Sequence, residues 1–194
     1  MALILASAST IRAQMLEAAG IEFAVQPAEL DEARIKAANG GDEAELAIGL
    51  ASAKAVAVSA LRPGDWVIGS DSLVTAGGRL FAKPRDRSEA AEHLRSFSGQ
   101  PMILTSAVAL ARDSAVDFSH VQSATLHVRP LSEAFIESYL DAEWPEVAYC
   151  VGVFRMEGRG VQLFERVEGD HFTILGMPLM PLLGALRARG LVEA

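Results

Sequence analysis

A single cysteine, Cys150, stands among 194 residues, so neither an intrachain disulfide nor a cysteine-rich zinc site can form. It reads as a small semi-buried hydrophobe. His93, His120, His127 and His171 are scattered, with no i, i+4 or clustered spacing, and read as structural or surface residues rather than metal ligands. Positive charge is scarce too. Seventeen Lys and Arg against 25 Asp and Glu give a formal net charge of −8, which excludes a global field for nucleic acid or an anionic membrane. Any polyanionic ligand must be held by a local cluster of Arg, Lys, backbone N–H groups or metal. No apolar stretch reaches the roughly 18 residues of a membrane span, and the apolar run at residues 3–5 lacks a basic flank. Repeats, low-complexity tracts and linkers are absent. The expectation is a soluble cytoplasmic protein with no nucleic-acid or membrane partner.

What is present is an ordinary globular balance, 51% hydrophobic and 22% charged. Leu3 to Leu5 forms a short buried-strand pattern, and Ser9 or Thr10 can cap a helix from Ile11 to Ala19 that stops at Gly20. Phe23 to Gln26 reads as a strand, and Asp42 to Leu61 as a helix ended by Pro63-Gly64. Trp66 to Ile68 is a strand expected to end at Gly69-Ser70-Asp71. A turn at 76–79 leads to a short strand closed by Lys83-Pro84, and a helix capped by Ser88 runs to Phe97. Strands at Met102 to Ala111, Ser123 to Val128 and Val161 to Val167 alternate with helices at Ser132 to Leu140 and Leu179 to Ala188. The class is therefore α/β.

Four places could carry chemistry. The small residues at 6–9 let backbone approach a ligand, the helix start after them offers free N–H groups, and Arg12 lies one turn in. Asp71 follows a buried apolar strand, where a carboxylate can orient a metal or take a proton from water. Lys83, held extended by Pro84, can serve as a point-charge phosphate binder. The acidic pair Asp31-Glu32 suits a hard cation. The plainer alternatives are a simple turn, a turn-capping aspartate, a surface lysine and a solvated pair. Trp66 and Trp144 read as packing residues, although the Trp144-Pro145 loop could approach a purine.

The order of these pieces is more specific than any one of them. LASAST-I-R at 5–12, DE at 31–32, LASAKA at 50–55, GSDSLV at 69–74, AKPRD at 82–86, SGQ at 98–100 and EGRGVQLFERVEGDHFTILGMPL at 157–179 resemble the Maf family over nearly the whole chain. That family contains nucleotide pyrophosphatases, some described as septum-formation inhibitors. The EG-x-G-x-x-LFER-x-EG run is most similar to the branch that hydrolyses 7-methyl-GTP; Glu157 stands where the dTTP and UTP branch typically has Gln.

The resemblance implies a Maf/ITPase-like mixed, strongly twisted sheet with flanking helices, forming two lobes around a central cleft in one domain over residues 1–194. It implies hydrolysis of a nucleoside triphosphate, 7-methyl-GTP or another modified nucleotide among the candidates, to monophosphate and pyrophosphate with Mg²⁺ or Mn²⁺. Asp71 would be the proton acceptor for attacking water. Arg12 and Lys83 would hold phosphate oxygens, and Lys54 would add positive charge. Glu32 would help position metal or water, with Asp71 as the other metal ligand. Ser7, Ser9 and Ser72 would line the substrate, and Glu157 would sit near the base pocket or the nucleophile. A homodimer is left open.

The chain also departs from the pattern. Ser9-Thr10-Ile11-Arg12 lacks the proline and first arginine of the family's S-P-R-R motif, Ser98-Gly99-Gln100-Pro101-Met102 departs from S-G-R-x-H, Cys150 replaces the K-A-G lysine, and Ser72 replaces Thr or Gln. One lost charged contact to phosphate costs about 1.5–3 kcal/mol. Ile11 therefore supports a competing reading, a nucleotide-binding regulator of cell division with little catalysis.

Overall fold

β-Strands buried along their length need both faces covered, and the apolar runs at residues 3–5, 66–76 and 101–112 are of this kind. The computed structural model describes residues 1–38 and 42–193, apart from the side chains of Ala37 and Ala38. In chain order the elements are β1 (Leu3–Leu5), α1 (Thr10–Ala18), β2 (Ala24–Val25), α2 (Glu32–Ala38), α3 (Glu43–Leu61), β3 (Trp66–Ala76), β4 (Arg79–Phe81), α4 (Arg87–Phe97), β5 (Pro101–Arg112), β6 (Ala115–Val128), α5 (Glu133–Glu143), β7 (Phe164–Glu168), α6 (His171–Ile174) and α7 (Leu179–Ala188). Two 3₁₀ segments, Glu146–Tyr149 and Arg159–Leu163, lie between α5 and β7. The seven-stranded sheet is mixed, in the order β2-β1-β3-β5-β6-β7, with β4 paired to β3. β1 is parallel to β2 and β3; β4 is antiparallel to β3, and β7 to β6. This bears out the α/β class.

Several local expectations need correction. β3 does not end at Asp71 but continues to Ala76. Its partner β1 reaches only to Ile68, and β4 takes up pairing from Val74, so Asp71 lies mid-strand between those two registers. α4 is capped by Asp86, whose carboxylate accepts from the Glu89 N–H, rather than by Ser88. β6 begins at Ala115, well before the expected Ser123, as the second arm of a hairpin whose turn residues Asp113 and Ser114 have positive φ. Glu32 opens a helix, and His171 opens another capped by Asp170; neither helix was expected. α3, at 19 residues, is long and apolar enough by length and composition to cross a membrane, against the reading of short apolar runs. In the fold its Leu46, Leu50, Ala51, Ala55 and Val58 are buried.

The chain divides into two compact units. The first comprises Met1–Ser72, Thr105–Gln122 and Asp170–Ala194. Its core joins Leu5, Ile68, Val108 and Leu110 of the strands to Leu16 of α1 and Leu182 and Leu186 of α7. The second comprises Leu73–Leu104 and Ser123–Gly169. There Phe81 meets His93 and Phe97 edge-on, and the buried Tyr139 hydroxyl donates to the Val153 carbonyl.

Candidate active site

The first unit assembles its charges through one glycine. A Cβ on Gly69 would lie 2.1 Å from the Ala51 carbonyl oxygen and 2.7 Å from the Ala55 nitrogen, so only glycine lets β3 run this close to α3. Side chains two apart on a strand share a face, which turns Asp71 toward the same helix as Gly69. Lys54, between Ala51 and Ala55 in sequence, places its Nζ 2.5 Å from Asp71 Oδ1 and 2.8 Å from Glu32 Oε1. Lys36 Nζ is 3.6 Å from the other Glu32 oxygen, one helical turn along α2. Glu32, Lys54 and Asp71, far apart in sequence, form one cluster.

Arg12 lies beside them on α1. Its Nε donates to the Gly176 carbonyl (2.9 Å), its Nη1 to Ser7 Oγ (3.2 Å) and the Ser70 carbonyl (2.8 Å), and its Nη2 to Ser72 Oγ (3.0 Å). Burial pushes this guanidinium below its ordinary pKa, and the charges of Asp71 and Glu32 act in the opposite direction. Ser72 Oγ also lies 3.0 Å from the Gly176 carbonyl and 2.9 Å from Ser106 Oγ, which donates to the Thr173 carbonyl. Gly176 has φ of +103°, a backbone conformation that favours glycine, and a Cβ there would stand a tight 3.2 Å from Ser72 Oγ. Ser9 lies in the turn before α1, where its N–H donates to Ser7 Oγ at 3.2 Å.

Seven of the nine sequence-nominated residues, namely Ser7, Ser9, Arg12, Glu32, Lys54, Asp71 and Ser72, thus belong to the first unit. Lys83 and Glu157 belong to the second. Both are exposed, and both act on the Cys150 thiol, which burial pushes up to about 11, with Glu157 adding to the rise and Lys83 opposing it. Trp144 is half-buried, whereas the neighbouring Tyr149 is exposed. Ile11 lines an apolar groove of about 430 Å³ with Met15, Phe172, Leu175 and Leu183, so position 11 has an apolar setting in place of a charged role. Sequence reasoning missed Gly69, Ser70, Ser106 and Gly176. Three of them act through backbone atoms or closeness, which no side-chain chemistry announces; the glycine before Met177-Pro178 was the available signal.

Among the described residues, no group of three or more His, Cys, Asp and Glu side chains is gathered that could hold a metal. Glu32 and Asp71 nevertheless share a cation already, the Lys54 ammonium. One or two carboxylates plus substrate phosphates suffice for Mg²⁺, so this pair fits an ion that arrives with a polyphosphate and does not fit a dedicated cage.

The family model described as "Maf: Maf-like protein" matches residues 2–189. A "7-methyl-GTP pyrophosphatase" of Rhizobium meliloti (strain 1021) is 46% identical over 99% of this chain and 98% of its own length. A "Nucleoside triphosphate pyrophosphatase" of Nitrobacter hamburgensis (strain DSM 10229 / NCIMB 13809 / X14) is 49% identical over 98% of this chain and 95% of its own. Among solved structures, a HAM1 protein from Coxiella burnetii overlays with a TM-score of 0.43 at 14% identity, covering 65% of this chain and 72% of that one.

Proposed function

Because the chain belongs to the Maf family, we infer that it is a nucleoside triphosphate pyrophosphatase, a hydrolase of the anhydride between the α- and β-phosphates. The observation that supports this most directly is the Asp71–Lys54–Glu32 cluster at 2.5 and 2.8 Å. In our reading, the Lys54 ammonium fixes the direction of the Asp71 carboxylate through Oδ1, and Oδ2 accepts a proton from water. The water oxygen bonds to the α-phosphorus, the bond from that phosphorus to the bridging oxygen breaks, and pyrophosphate leaves with the bridging oxygen. The positive charge of Lys54 and the N–H groups at the start of α1 offset charge developing on the phosphate oxygens. Mg²⁺ or Mn²⁺, held by Glu32, Asp71 and the phosphates, would neutralise further phosphate charge. The roles given to Lys83 and Glu157 rest on their motifs alone.

We take 7-methyl-GTP and other modified triphosphates as the first substrates to test, because both 7-methyl-GTP and general nucleoside triphosphate pyrophosphatases stand among the relatives. Free triphosphates are a cytoplasmic pool, and we place the enzyme there. The decisive assay is pyrophosphate release from ordinary and methylated triphosphates in the presence of Mg²⁺ or Mn²⁺. Release by the wild type that Asp71→Asn removes is the expected result. Turnover absent across a broad panel would defeat the reading and favour a binding-only regulator.

A further inference from the structure

Arg12 has an obvious role available, a grip on phosphate, but its fork is already occupied. The residue is 9% exposed. A guanidinium has five N–H donors, and four of them are committed to Gly176, Ser7, Ser70 and Ser72. Bidentate capture of an anion needs two parallel N–H groups, and one remains. The four acceptors come from three separate places: the turn between β1 and α1, strand β3, and the turn between α6 and α7. The Ser70 carbonyl lies in β3 after its pairing with β1 has stopped at Ile68 and before β4 begins at Val74. There the guanidinium supplies a donor to a buried backbone acceptor.

Ser7 gives this arrangement a chemical consequence. Its hydroxyl oxygen accepts from the Ser9 N–H and from Arg12 Nη1, both at 3.2 Å. A hydroxyl has two acceptor positions and one proton. Backbone N–H and guanidinium groups can only donate, so both acceptor positions are filled and the proton is left for an acceptor outside the network. It sits in the turn that opens the nine-residue helix α1, where N–H groups and the helix dipole favour an anion.

We propose that Arg12 is a positioning residue: its fork pins the β1–α1 turn, β3 and the α6–α7 turn together and turns Ser7 into a donor-only hydroxyl that meets a phosphate oxygen of the substrate. The proposal rests on the pyrophosphatase reading, and its test separates the two. Wild type, Arg12→Lys, Ser7→Ala and the double variant are compared for ligand-free melting temperature and for Kd of a nucleoside triphosphate with a non-hydrolysable α,β-methylene bridge. Kinetic constants for pyrophosphate release complete the set. A pin gives a ligand-free melting temperature several degrees lower in Arg12→Lys and an affinity loss no larger than that of Ser7→Ala. The double variant then stays within about threefold of Ser7→Ala, because the two changes act through one hydroxyl. A direct grip gives unchanged ligand-free melting, an affinity loss about tenfold beyond that of Ser7→Ala, and multiplying losses in the double variant; that result overturns the proposal.

Should Arg12→Lys fail to fold, side-chain nitrogen NMR of the wild type decides the matter. A pinned Arg12 shows separate, slowly exchanging Nη signals before nucleotide is added, whereas a grip shows averaged signals that separate only on binding. If the wild type releases no pyrophosphate from any triphosphate, the functional reading fails while the ligand-free melting and NMR results still judge the pin.

Discussion

Glu32, Lys54 and Asp71 in the first unit and Glu143 with Arg155 in the second are both sets of opposite charges at hydrogen-bonding distance. They differ in what surrounds them. The Glu32 side chain is 41% exposed and opens the first cluster to water, while Glu143, at 6%, is buried with the partly exposed Arg155 as its one cation among the described residues, at 3.1 Å. Three further titratable groups of the second unit are governed by burial. Burial raises the Tyr139 hydroxyl and the Cys150 thiol and lowers His93, in each case favouring the uncharged form. Ion pairing alone therefore does not mark a reactive site. Asp71 shares one ammonium with a second, exposed carboxylate, whereas Glu143 has a guanidinium to itself, an arrangement that serves mainly to hold structure.

The contrast can be broken most decisively at Asp71. Asp71→Asn is expected to cut pyrophosphate release by about 10²–10⁴-fold, the usual range for a lost general base, with an unchanged circular dichroism spectrum. A fall of less than tenfold would place the base elsewhere. Gly69→Ala comes next. Its methyl would meet the Ala51 carbonyl, so unfolding free energy should drop by about 1–3 kcal/mol or more, and activity should fall with it, as urea titration and assay of the same samples would reveal.

In the second unit, Glu143→Gln leaves Arg155 facing a neutral partner. A loss of roughly 2 kcal/mol is expected, below the usual value for a fully buried pair because Arg155 is partly exposed. KM should stay within twofold or so; a large KM change would mean that this pair touches substrate. Cys150 sharpens the same point. With its thiol pushed up to about 11, roughly one molecule in a thousand is thiolate at pH 8, so alkylation by iodoacetamide in native protein should be slow and accelerate on unfolding.

His93 carries the smallest expected effect. Its pKa is lowered in the folded state by burial, so the unfolded chain binds the extra proton first. Stability is full above the ordinary histidine value near 6.5 and declines as pH falls below it toward the lower folded value. His93→Leu should flatten that part of the stability–pH curve, and an unaltered slope would assign it to other groups.

The sequence conveyed these regions unequally. The strand at Leu3–Leu5, the long helix ending at Leu61 and the last helix at Leu179–Ala188 were legible because apolar periodicity and Gly or Pro stops mark them directly. Lys54, Glu32 and Asp71 were legible through motif order, though not through any local pattern that would join them. β3 runs past Asp71 although Gly-Ser-Asp-Ser looks like a turn in isolation, because its persistence depends on strands supplied from elsewhere in the chain. The crowded carbonyl of Gly176 and the fork of Arg12 were out of reach for a related reason. A backbone oxygen leaves no residue signature, and an arginine that binds a ligand is spelled like one that binds its own fold.

The bond from Arg12 to Gly176 joins residues 164 positions apart. Synthesis proceeds from the N-terminal side, so Arg12 waits for a further 164 residues to be added before its last partner exists. Contacts this distant form late, after much of the loop-closure cost has been met. A growing chain can therefore expose the acidic and basic members of its site long before they are locked in register, and competence to act on nucleotides should switch on only as the turn ahead of α7 folds back against β3.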